Sequence, residues 1–224
     1  MPTILLVRHG QASYGGEDYD VLSELGERQA AIVGTALAER GVRPRLVATG
    51  CLQRQIGTAE IAAGPDWPAP RPDSRWDEYD ADDVLGAHSS SAARLGGEGG
   101  AALSTREFQE VLDAALGDWI AAADASSARQ GWPAFSEAGG GALGELVAEL
   151  GRGETGVVFT SAGTISAACA GLLQLPPHAF VALNRVQVNT AVTKVVYGVS
   201  GASLLTFNEH SHLERGDRSL ITFR

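Results

Sequence analysis

The apolar positions of this chain change period along its length, and each change marks an element. Ile4-Leu5-Leu6-Val7 is apolar without interruption, the pattern of a short parallel strand covered on both faces. From 24 to 40, Leu25, Val33 and Leu37 recur near helical spacing, with Ser23 placed to cap the start and Gly41 to stop the end. Leu46-Val47-Ala48 predicts a second strand, and 52–63 a second helix closed by Gly64-Pro65. The order strand then helix returns at 156–160 and 164–173, before a break at Pro176-Pro177. Residues 187–197 and 204–207 alternate with β-branched side chains and predict strands, and 220–223 predicts a short last one.

The middle of the chain differs. Prolines 65, 68, 70 and 72 make a rigid connector, and 81–153 is rich in Ala, Gly and Ser. Within it 106–123 predicts an amphipathic helix and 95–100 a mobile stretch. A further helix runs to Leu150, its start weakened by Gly139-Gly140-Gly141. The whole, 1–224, is expected to be one three-layer α/β/α domain with a mostly parallel sheet. It is interrupted at about 81–153 by a largely helical cap, of the kind that lids a site.

Composition narrows the function. A net charge of −10 argues against a nucleic-acid surface, which needs clustered cations. No apolar run approaches the length of a membrane span, and the start lacks the basic segment of a signal peptide. Cys51 and Cys169 provide no disulfide framework, so a cytoplasmic protein is expected. Lys194 is the only lysine; every other cation is arginine, the better residue for bidentate recognition of phosphate.

The chemistry concentrates where the first strand ends, at Val7-Arg8-His9-Gly10-Gln11. Ligands of open α/β sheets sit beyond the carboxyl ends of the strands, and Gly10 would let the backbone approach one. The second strand–helix junction, Ala48 onward to Arg54, brings another arginine to the same edge. Two guanidiniums and the N–H groups of a helix start form a cradle for a phosphoryl dianion.

The run Leu6-Val7-Arg8-His9-Gly10-Gln11 resembles the signature of the histidine phosphatase superfamily, the phosphoglycerate-mutase-like fold. The likeness continues through 22–30, Leu52-Gln53-Arg54 with Thr58-Ala59-Glu60, and 208–213. It implies that neutral His9 attacks phosphorus and forms a phosphohistidine. Arg8 and Arg54 would stabilise the phosphoryl oxygens. In Trp76-Asp77-Glu78-Tyr79-Asp80, Glu78 best matches the family's acid, with Asp77, Asp80, Asp82 and Asp83 as neighbouring carboxylates. The resemblance thus implies a phosphatase for a small phosphorylated substrate, working without metal or cofactor.

One part of the family pattern is missing. Ser161 stands where a second catalytic histidine is expected, with Ala162 and Gly163 offering backbone donors at a helix start. His212 resembles a histidine of the family's C-terminal segment and is expected to contact phosphate; His210 is a spare that would compensate. Two other readings stay open: a mutase-type phosphotransferase, and a protein that binds a phosphorylated ligand without turning it over. The stretch 12–16 lacks the asparagine of the mutases, and the cap holds only Arg94, Arg106, Arg129 and Arg152, few for a bisphosphate. Oligomeric state has no sequence signal.

Overall fold

A computed structural model of the chain describes residues 1–13, 20–88, 104–214 and 217–223. The expected mobile stretch 95–100, Arg94 and the loop residues 14–16 lie outside these. One six-stranded sheet organises the rest. Its strands are β1 (Thr3–Arg8), β2 (Leu46–Thr49), β3 (Arg71–Pro72), β4 (Thr155–Thr160), β5 (Val192–Gly198) and β6 (Gly201–Glu209). They lie in the order β3-β2-β4-β1-β5-β6. The first four strands in that order are mutually parallel, and β5 and β6 add an antiparallel hairpin at one edge. The sheet is therefore mixed and mostly parallel.

The β1 side chains point alternately to two cores, which is why the strand reads as a continuous apolar run. Ile4 and Leu6 join Leu46, Ala48 and Val158 beneath α5 (Trp132–Ala148) and α6 (Ala162–Leu172). Leu5 and Val7 join Val47, Val157 and Phe159 beneath α1 (Glu24–Glu39) and α2 (Gln53–Ala62). Helices on both faces give the three layers. Ser23 caps α1 as expected, its hydroxyl accepting from the Gly26 N–H.

Residues 139–141 do not weaken the start of α5; they lie in its middle, and the helix begins at Trp132 with Pro133 in its first turn. Burial of Ala142, Leu143 and Leu146 against the sheet outweighs the low propensity of glycine. Three further helices, α3 (Ala81–Ala87), α4 (Thr105–Ala122) and α7 (Ala179–Arg185), pack with α5 around an aromatic cluster of Tyr79, Trp119, Trp132, Phe135 and Phe180. A last helix, α8, is Ser211–Glu214.

Two strand expectations fail. Residues 187–191 alternate in sequence but form a buried loop beneath the end of β1, entering the sheet only at Val192. Residues 220–223 do not form a strand either. Arg218–Leu220 is a 3-10 turn, and Thr222 after it hydrogen-bonds to that buried loop.

Candidate active site

In the sheet β4 lies beside β1, so Arg8 and His9 emerge next to Thr160 and Ser161. The His9 N–H donates to the Thr160 carbonyl at 2.9 Å. The Gly10 N–H then donates to Thr58 Oγ1 at 3.0 Å, tying the turn to α2. Gly10 is also required by packing within the chain. A Cβ there would sit 2.4 Å from the Gly26 carbonyl oxygen of α1.

Those constraints fix the imidazole. His9 Nδ1 lies 2.7 Å from the Gly10 carbonyl, which can only accept, so Nδ1 carries the proton and Nε2 presents its lone pair. Burial, and then the charges of Arg8 and Arg54, hold the His9 pKa well below the usual value. The ring is neutral at physiological pH. Its lone pair accepts from Arg54 Nε at 3.3 Å.

Each guanidinium is held from behind. Arg54 donates to Asp20 Oδ1 at 2.6 Å, while Asp20 Oδ2 accepts the N–H of Gln53 at the first turn of α2 at 2.8 Å. Arg8 is buried and donates to the carbonyls of Gln187 and Phe223, the latter at 3.0 Å. The floor beneath both is a polar weave between the buried loop and the C-terminal segment. Asn189 Nδ2 donates to the His9 carbonyl at 3.1 Å, and its Oδ1 accepts from Thr222 Oγ1 at 2.9 Å. Thr222 Oγ1 in turn accepts from Gln29 Nε2 at 2.8 Å. Thr190 sits at φ +59°, a strained setting for a β-branched residue, and its N–H reaches the carbonyls of Arg8 and His9.

Glu78 approaches from the connector. One carboxylate oxygen accepts the Gly163 N–H at 3.0 Å and the other the Tyr79 N–H at 3.3 Å. Burial raises its pKa; the Gly163 bond, Arg54 and Arg8 pull the other way. Gly163 must be glycine for this approach, since a Cβ would lie 2.1 Å from Glu78 Oε1. Asp77 also has a raised pKa through burial, and it accepts the Cys51 N–H. Asp80 and Asp83 instead pair with Arg129 at 3.1 and 3.2 Å.

Ser161 is fully buried, and its Oγ accepts from Gln55 Nε2 at 2.8 Å. Ala162 opens α6. His212 meets the floor of this cluster at Thr190, while His210 turns back to its own segment. His212 Nε2 lies 3.4 Å from Thr190 Oγ1, and the charges acting on the ring are Glu209, Arg40 and His210. Burial, its largest influence, lowers its pKa to about 4. His210 Nδ1 donates to the Asn208 carbonyl at 2.6 Å. A groove of about 530 Å³ beside His212, lined also by Ile32, Thr35 and Arg40, includes no member of the His9 cluster.

Sequence reasoning missed Asp20, Gln29, Gln55, Asn189 and Thr222. One signal existed for Gln55. With Thr58, Ala59 and Ala62 it makes the buried stripe of α2 at helical spacing, so a polar residue stood at a core position.

A buried imidazole with a fixed lone pair, set beside two guanidiniums, thus lies at the carboxyl ends of the parallel strands. The chain belongs to the histidine phosphatase superfamily (branch 1), whose family model matches residues 4–210. Among structures, it is similar to the Entamoeba histolytica phosphoserine phosphatase His-to-Ala mutant in complex with phosphoserine. The TM-score is 0.66 and the identity 18%, over 95% of this chain and all of that one (100%). It is also similar to mycobacterial glucosyl-3-phosphoglycerate phosphatase in complex with VO3, with TM-score 0.64 and 24% identity over 93% and 99% of the two chains. Among sequences, it is 43% identical over 77 residues to the 2,3-bisphosphoglycerate-dependent phosphoglycerate mutase of Thermobifida fusca. That match covers 30% of this chain and 31% of the mutase. No helix among the described residues is long and apolar enough to cross a membrane.

Proposed function

We propose that this protein is a phosphatase that hydrolyses a small phosphomonoester through a phosphohistidine on His9. The observation that carries the reading is the fixed tautomer of a neutral His9, with Nδ1 committed to Gly10 and Nε2 available. An incoming phosphoryl group takes over the Arg54 donor that now rests on Nε2, and the lone pair attacks phosphorus in line with the ester oxygen. Arg8, Arg54 and donors at Ser161 and Ala162 hold the equatorial oxygens as charge develops on them.

The raised pKa of Glu78 suits a general acid for the leaving oxygen. The resulting carboxylate then takes a proton from the water that attacks the phosphohistidine. Asp77, also raised by burial, is the alternative acid. Asp80 and Asp83 are committed to Arg129. The cap region is proposed to lid the site, in a cytoplasmic enzyme that needs no metal or cofactor. His212, and His210 as the spare, would act on phosphate only after moving from their present partners.

A mutase reading draws on the likeness to phosphoglycerate mutases. Against it, among the described cap arginines Arg106 pairs with Glu110 and Arg129 with Asp80 and Asp83, which draws these cations away from a second phosphate. The test is a panel of phosphomonoesters that includes phosphoserine and 3-phosphoglycerate, with radiolabelled phosphate trapped on the protein. An acid-labile, base-stable label that vanishes in His9→Ala is expected. No label and no phosphate release from any ester would indicate a binding protein instead.

A further inference from the structure

Ser161 stands where the family resemblance leads to a histidine that donates to phosphate, and a serine hydroxyl can point its proton anywhere. We propose that Gln55 is a positioning residue that turns the Ser161 hydroxyl into a committed donor toward the phosphoryl group. This rests on the reading of the His9 cluster as a phosphoryl site.

The argument is one of hydrogen-bond capacity. Gln55 is fully buried, and its amide can be oriented in only one way. Its Oε1 accepts the Leu52 N–H at 3.2 Å, and its Nε2 donates to the Trp76 carbonyl at 3.0 Å and to Ser161 Oγ at 2.8 Å. A flipped amide would set its NH2 against an N–H and its oxygen against a carbonyl, so the flip is forbidden. Gly50 leaves the room this requires, because a Cβ there would lie 1.9 Å from Gln55 Oε1.

Ser161 Oγ is thus an acceptor toward Gln55, and its own proton must point elsewhere. Among the described residues no acceptor is hydrogen-bonded to that proton. A buried hydroxyl without an acceptor is costly, and a phosphoryl oxygen would supply one. Ser161 also stands in the right part of the chain. The residue before it accepts the His9 N–H through the Thr160 carbonyl, and the Gly163 N–H two residues on holds Glu78. Gln55 and Arg54 are neighbours on α2, so one helix turn both clamps the anion and aims its neutral donor.

The test is the affinity for orthovanadate, measured by calorimetry on the wild-type protein, Ser161→Ala, Gln55→Met and the double variant. Each single change is expected to weaken binding about tenfold, the scale of one hydrogen bond in a buried site. In the Ser161→Ala background, Gln55→Met is expected to cost less than about twofold, because its effect passes through the hydroxyl. Losses that multiply in the double variant would make Gln55 a packing residue and overturn the proposal. So would full affinity in Ser161→Ala, or no vanadate binding by the wild-type protein. If Gln55→Met does not fold, Gln55→Glu serves the same arm: it keeps the volume but offers Ser161 an acceptor, drawing the proton away with the same tenfold loss. Coupled losses in a protein that forms no phosphohistidine would refute hydrolysis while upholding this assignment.

Discussion

Thr222→Val tests whether the C-terminal segment is part of the active-site floor. Valine keeps the shape of threonine but neither accepts nor donates. Two bonds would be lost, Gln29 Nε2 to Thr222 Oγ1 at 2.8 Å and Thr222 Oγ1 to Asn189 Oδ1 at 2.9 Å. Gln29 and Asn189 are both fully buried, so water has poor access to replace either. Leaving a buried polar group without its partner costs about 1–3 kcal/mol, and two such groups place the expected loss near ~3 kcal/mol. For a chain of this size that corresponds to a fall in Tm of about 6–12 °C. Urea unfolding followed by tryptophan fluorescence would measure it, with Thr222→Ser, which retains the hydroxyl, as the control. Asn189 also holds the His9 carbonyl, so turnover should fall although Thr222 itself does not belong to the His9 cluster. Equal stability of the Val and Ser variants would show that the weave contributes nothing and refute the reasoning.

Two further outcomes follow from Glu78. Because burial raises its carboxyl pKa, the folded state binds that proton more tightly than the unfolded chain. The penalty for the charged form appears as pH rises through the raised value. Glu78→Gln should therefore melt above wild type at pH 8, with the gap closing in acid, while turnover drops by about 10²-fold or more. A gap independent of pH would contradict this, and wild-type turnover should likewise decline as pH rises and the acid is lost. Gly163→Ala would drive a methyl group to 2.1 Å from Glu78 Oε1 and 2.8 Å from the Tyr79 ring. It should cut turnover by about 10²-fold while vanadate affinity stays within about twofold, since it displaces the acid and not the clamp; equal losses in both would place Gly163 in the anion site.

The sequence by itself determined the layers and the residues brought to the edge of the sheet. Continuous apolar runs at 4–7 and 46–48, each followed by a helical period, specify parallel strands with helices on both faces. The position of Arg8, His9 and Arg54 at strand ends and helix starts follows from that order alone. The tertiary structure decided what local pattern cannot encode. Residues 187–191 alternate like a strand, yet Thr190 and Asn189 are drawn under β1 because the carbonyls of Arg8 and His9 require donors there. Residues 220–223 read as a strand but are held by Gln29, Asn189 and Arg8, partners at least 30 residues away in the chain. Gln55 stands at a core position of its helix by spacing, but the partners of its amide, Ser161 and the Trp76 carbonyl, are supplied only by the fold. Hydrophobic period is a property of neighbours along the chain, whereas the satisfaction of buried polar groups depends on partners that only the completed fold supplies.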